Sequence, residues 1–143
     1  MTEPGREDAI ARVHRELTLV GRRGTARVRR ENEALSVVDR SLLTFIDEHP
    51  GCRAVDIAAH LQLNRSTVSR QLGALFGHDL VEAAAVESGG RGLSLRLTAA
   101  GRAALDASAR SLLTTMTHRL GDWSEDDIER FAEMLERYNA AEE

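Results

Sequence analysis

Apolar residues fall at helical spacings along most of the chain and alternate strictly in one short stretch, and the order of these patterns is the first guide to the fold. Ile10, Val13, Leu17 and Val20 repeat at three and four, which predicts a first helix of several turns running into an arginine patch, Arg22, Arg23, Arg27, Arg29 and Arg30. The acids Glu31 and Glu33 follow that patch, so it reads as a solvated face. Ser36 with Asp39 makes a helix start, after which Val38, Leu42, Leu43 and Ile46 bury a second helix that ends at His49-Pro50-Gly51. Residues 53 to 81 then read as two short helices broken by a tight polar turn. In the first, Val55, Ile57, Ala58 and Leu61 crowd one side, and Leu63 precedes Asn64, which caps the next helix. In the second, Val68, Leu72 and Leu75 form one buried stripe, and turning the same wheel leaves Ser66, Ser69, Arg70 and Gly73 outside, with Arg65 and Thr67 flanking the N-terminal end.

The period then changes. Ala83 to Val86 and the alternating Leu93, Leu95 and Leu97 form the arms of a two-stranded ribbon around the glycine-rich tip Ser88 to Gly92, with the leucines on one face and Arg96 on the other. Thr98 is placed to cap a helix carrying Leu105, Leu112, Leu113, Met116 and Leu120. After a break at Gly121-Asp122, Ser124 and Asp127 start another, with Ile128, Phe131, Met134, Leu135 and Tyr138 on its apolar side. The predicted fold is mainly α with a small β-hairpin wing: a winged helix-turn-helix core at residues 35–100, an N-terminal helix at 1–34 and C-terminal helices at 101–143. A winged core has no need of such long apolar arms, so both flanks are predicted to meet a second copy of the chain.

The chemistry of the second short helix suits a duplex. A helix N-terminus offers free N–H groups to phosphate, Ser and Thr hydroxyls donate to phosphate or base edges, and an arginine fork engages guanine O6 and N7 together. The candidate DNA contacts are Arg53, Asn64, Arg65, Ser66, Thr67, Ser69, Arg70, Gln71, the wing arginine Arg91 and Arg96. An ordinary surface helix also carries Ser and Arg outside, and Arg70 could equally pair with Asp79; the hairpin with a cation at its tip is what sets the two readings apart.

Composition changes this picture in two places. The formal net charge is −4, but residues 50 to 102 hold six Arg against four acids while residues 121 to 143 hold two Arg against nine, so the positive excess lies on the winged segment. All 19 basic residues are Arg, a usage better explained by a GC-rich genome than by recognition. No run approaches the roughly 20 apolar residues of a membrane span, and the N-terminus lacks an apolar signal core, which places the chain in the cytoplasm. No nucleophile elbow, phosphate loop or glycine fingerprint occurs, and the five histidines lack metal-ligand spacing, so neither an enzyme, a cofactor nor a metal site is expected. Cys52, the single cysteine, allows no internal disulfide and reads as a filler thiol near Arg53, with a redox role the lesser alternative.

The run ALSVVDRSLLTFIDEHPGCRAVDIAAHLQLNRSTVSRQLGALFGHDLV, the wing and the LTAAG at Leu97 to Gly101 together resemble the MarR family of bacterial transcription regulators. That resemblance implies a homodimer on double-stranded operator DNA, a repressor released by a small-molecule effector, and Arg91 reaching into the minor groove. Two positions depart from it. Glu82 and Ala83 stand where the family usually carries arginine, and Gly89-Gly90-Arg91 replaces its Asp-x-Arg wing tip, leaving Arg91 without an acidic neighbour to orient it. These departures lend a little weight to an alternative, a winged-helix protein-interaction module such as an anti-repressor or assembly factor, without displacing the DNA-binding reading. A small-molecule binding protein or enzyme using the space between the arms is a further one, with no chemistry in the sequence to carry it.

Overall fold

The computed structural model describes residues 3–30, 35–85 and 92–141. Among the described residues six helices and one hairpin follow in the order α1 (Glu3–Arg30), α2 (Val37–Glu48), α3 (Ala54–His60), α4 (Arg65–Gly77), β1 (Val81–Ala85), β2 (Leu93–Leu97), α5 (Ala99–Arg119) and α6 (Glu125–Asn139). The chain divides into two compact units, Met1–Ser108 and Ala109–Glu143.

In the first unit, local signals set the helix starts. Ser36 Oγ accepts from the Asp39 amide at 3.0 Å while Asp39 Oδ2 accepts from the Ser36 amide at 3.0 Å, a reciprocal box that satisfies two otherwise orphaned donors. Asn64 Oδ1 accepts from the Thr67 amide at 2.8 Å and fixes the start of α4. Leu42, Leu43, Phe45 and Ile46 of α2, Ile57 of α3, and Val68, Leu72 and Leu75 of α4 then converge with Leu35, Cys52, Val81 and Leu95 on one core. Val55 departs from its expected place on the buried side of α3: it lies half a turn from Ile57 and is 47% exposed, because a seven-residue helix offers the core only one side of barely two turns.

Two turns set the angle at which α4 leaves the core. Between α3 and α4 the chain passes through Gln62 at φ +52°, with the Leu63 amide returning to the Ala58 carbonyl at 3.0 Å. A left-handed side-chain-bearing residue costs about 1–2 kcal/mol, more if it is β-branched. Gln62→Val should therefore lower stability by about that amount although the site is exposed, while Gln62→Gly keeps or slightly raises it; thermal unfolding of the two variants checks the order. At the other end, Asp79 at φ +57° follows the helix, its amide bonding the Phe76 carbonyl at 3.0 Å and the Leu80 amide the Leu75 carbonyl at 3.0 Å. That pair of bonds is a Schellman stop, and it turns the chain directly into β1.

β1 and β2 are antiparallel, in the register Val81↔Leu97, Glu82↔Arg96, Ala83↔Leu95, Ala84↔Ser94 and Ala85↔Leu93. The first arm thus begins at Val81, two residues before the sequence pattern places it, because Val81 is itself a core residue. Leu95 faces the core as alternation predicts, but Leu93, on the same side, is 52% exposed, lying beyond the reach of the helices. A third segment that the sequence does not announce joins the far edge of β2: the Leu95 amide donates to the Cys52 carbonyl and the Gly51 amide to the Leu95 carbonyl, both at 2.8 Å.

The first turn of α5 locks onto the hairpin. Thr98 Oγ1 accepts from the Gly101 amide at 2.9 Å and donates to the Asp79 carbonyl at 2.6 Å, so one hydroxyl caps α5 and ties it to the stop of α4. Farther along, Arg102 pairs with Asp47 of α2 at 2.7 Å and Arg40 reaches Ser108 at 3.5 Å. In α1 the arginine patch is not uniformly solvated: Arg22 and Arg23 are exposed, but Arg27 is buried at 7% exposure, on a helix that contacts α2. The side chains of Arg29 and Arg30 lie outside the described residues.

In the second unit Ser124 caps α6 through the Asp127 amide at 3.2 Å. Trp123, in the turn before it, packs on Phe131 with ring centroids 5.5 Å apart and steadies that turn.

Candidate nucleic-acid interface

With Val68, Leu72 and Leu75 buried, α4 turns Ser66, Arg70, Gly73 and Gly77 outward as a ridge at spacings of four, three and four. Arg70 stands at its centre, exposed, and makes no hydrogen bond or ion pair among the described residues. The Asp79 partner that a purely structural role would supply is absent: Asp79 serves the helix stop through its backbone. Nothing lies within 4 Å of where a Cβ would sit on Gly73 or Gly77, so the C-terminal half of the ridge is low and open. Ser69 is exposed on one flank, followed one and two turns later by Gly73 and Phe76.

The N-terminal end divides its polar groups between structure and solvent. Asn64 gives its carbonyl oxygen to the cap and also accepts the Ser66 hydroxyl at 2.8 Å, so Asn64 presents outward only its amide NH₂, and Ser66 only its lone pairs while that bond holds. The amides of Arg65 and Ser66 have no partner among the described residues and project from the positive end of the helix dipole, an arrangement suited to a phosphate oxygen. Arg65 is exposed beside them; Thr67 and Gln71 are half-buried, so they border the ridge.

The other candidates sit on the wing or at its base. Arg53 precedes α3, where Asp56 Oδ2 accepts its amide at 2.8 Å, and its side chain runs beside Gly92, with Cδ 3.7 Å from where a Cβ there would be. Gly92 takes φ +104°, a conformation open to glycine, and so brings the returning strand past Arg53. Arg96 is exposed on the outer face of β2, directly opposite Glu82. Arg91 and the tip glycines Gly89 and Gly90 lie outside the described residues.

Cys52 is buried beneath the wing base. Burial pushes its thiol up, and the Asp56 carboxylate adds to the shift against a smaller opposing effect of the Cys52 backbone. A thiol so placed stays protonated at neutral pH and is a poor nucleophile, in keeping with a filler role.

Sequence reasoning missed two features of this surface. Phe76 is 38% exposed two turns beyond Ser69 on the same flank; it borders the Val68-Leu72-Leu75 stripe, four residues after Leu72, so periodicity alone would have buried it. The opposition of Glu82 and Arg96 depends on hairpin register, which alternation alone does not fix.

Comparison with known proteins agrees with this geometry. A sequence profile of the MarR family matches residues 35–92. The chain is 33% identical over 100 residues to the uncharacterised HTH-type transcriptional regulator YxaD of Bacillus subtilis (strain 168), covering 70% of each chain. Its fold matches that of Streptococcus pneumoniae FabT in complex with DNA, with a TM-score of 0.74 at 18% identity over 91% of this chain and 94% of that one. It also matches Mycobacterium tuberculosis MarR family protein Rv2887 in complex with salicylic acid, with a TM-score of 0.67 at 21% identity over 88% of this chain and 92% of that one. With the helix order, the two-stranded wing and these likenesses in agreement, the chain belongs to the MarR family of winged-helix transcription regulators.

Proposed function

We propose that this regulator acts in the cytoplasm as a homodimeric repressor, binding a two-fold operator through α4 and leaving it when a small anionic ligand binds. The observation that carries the reading is the outward ridge of α4: a cation at its centre and amides at its start that have no partner among the described residues, with small residues beyond. In this reading α4 enters the major groove, Arg70 reads a base edge, and Arg65, Arg53 and the wing arginines Arg91 and Arg96 engage phosphates and the adjacent minor groove. The likeness to FabT bound to DNA supports a duplex as the partner, and the likeness to Rv2887 bound to salicylic acid supports a small aromatic anion as effector.

The dimer is supported by side chains that the single chain leaves open. On α1, Ile10, Val13, Leu17 and Val20 are 40–58% exposed, and on the distal half of α5, Leu112, Leu113 and Met116 are 42–67% exposed. On α6, Phe131, Met134 and Tyr138 are 37–61% exposed along one stripe, and no residue of α6 is buried. Covering such half-exposed side chains is worth about 1 kcal/mol each, enough together for an obligate interface. Residues 1–34 and 101–143 are accordingly proposed as the dimerisation arms and 35–100 as the DNA-binding core. Among the described residues no helix is long and apolar enough to cross a membrane.

A gel shift with the DNA upstream of the protein's own coding region, run with scrambled competitor and with added salicylate, tests the reading, and light scattering of the same sample gives the mass. A retained, competitor-resistant complex that salicylate dissolves, from a species of twice the chain mass, is the expected result. A stable monomer that ignores duplex DNA and binds another protein would place the chain with the alternative, an interaction module.

A further inference from the structure

We propose that Glu82 is an electrostatic attenuator of the wing, holding down its attraction for any duplex whatever the sequence. The inference deepens the DNA-binding reading above and rests on it. Register carries it: Val81 and Leu95 are buried, so the alternate residues Glu82 and Arg96 share the outer face, directly opposed across the hairpin and both exposed. They are the only charged residues in the two strands, so the acid offsets the single cation that the strands present.

Opposed residues of an antiparallel pair have Cβ atoms about 4.5–5.5 Å apart, well inside the Debye length of about 10 Å at 0.1 M salt. Glu82 and Arg96 make no ion pair or hydrogen bond among the described residues, so neither side chain is locked, and a phosphate nearing Arg96 also meets the carboxylate. The repulsion is set by charge and not by base identity, so it weakens binding to operator and scrambled duplexes alike. It is also screened as salt rises.

The test uses the full chain, wild type and Glu82→Gln, titrated against a labelled scrambled duplex and the operator at low and high salt, with thermal melts in parallel. At low salt Glu82→Gln should bind both duplexes about three- to tenfold more tightly, the gain shrinking toward unity at high salt. Glu82→Asp, which keeps the charge, should bind as wild type. Should Glu82→Gln melt early, Glu82→Thr, a better strand former, must show the same gain. Wild type that binds its operator while both neutral variants bind no more tightly would overturn the attenuator and leave the DNA-binding reading standing. If neither wild type nor the neutral variants bind any duplex at low salt, the DNA-binding reading fails and the attenuator with it.

Discussion

Gly101→Ala is expected to destabilise the fold by about 3 kcal/mol or more, lowering the melting temperature by roughly 6–12 °C. Alanine is ordinarily favoured over glycine within a helix, so the sign runs against propensity. The cause is the backbone of Leu80: a Cβ on Gly101 would stand 2.9 Å from the Leu80 carbonyl carbon and closer still to its oxygen. Backbone cannot swing aside as a flexible side chain can. Relief would require α5 to lift from the hairpin, stretching the Thr98 bonds to Asp79 and Gly101 and the Thr98 amide bond to the Leu80 carbonyl at 3.1 Å. The threonine and glycine of the LTAAG segment are thus parts of one joint between the wing and α5. Differential scanning calorimetry of the variant checks the size of the effect, and a melting point at or above that of wild type would show that α5 is not seated so closely.

Arg70→Ala is expected to lose about 1–3 kcal/mol of sequence discrimination, a factor of roughly 10–100 in the ratio of operator to scrambled binding, with the melting temperature unchanged. Stability should hold because Arg70 is exposed and has no partner among the described residues to strand. Discrimination should fall because Arg70 is the only cation on the outward ridge of α4, with low-profile Gly73 and Gly77 beyond it. Titrations on both duplexes at one fixed salt concentration separate a base contact from a phosphate contact, since losing the latter weakens both duplexes equally. An Arg70→Ala protein that keeps wild-type affinity and selectivity would show that Arg70 does not read sequence.

What the sequence disclosed follows from the range of the interactions concerned. The caps at Ser36, Asn64, Thr98 and Ser124 each depend on residues three apart, and all four are in place. The stripe Val68, Leu72 and Leu75 was legible because a thirteen-residue helix repeats its buried side often enough to define it. Seven residues of α3 do not, and Val55 was misplaced accordingly. The buried Arg27, the pairing of Cys52 with Leu95, the approach of Gly101 to Leu80 and the opposition of Glu82 to Arg96 all join parts of the chain whose meeting depends on tertiary packing or hairpin register. Periodicity does not reach that far. For the candidate interface the exposed face of α4 was read directly, whereas the commitment of the Asn64 carbonyl to the cap and of the Ser66 hydroxyl to Asn64 emerged only from the geometry.

Whether α4 of a paired chain reads DNA is decided by selecting the sequences that this chain binds from a random duplex pool. The expected product is an inverted repeat whose half-sites lie about 10 base pairs apart, or a multiple of that, the spacing set by two copies of α4 in successive major grooves. Bound pools that stay random through repeated rounds, from a protein of normal melting temperature, would contradict it.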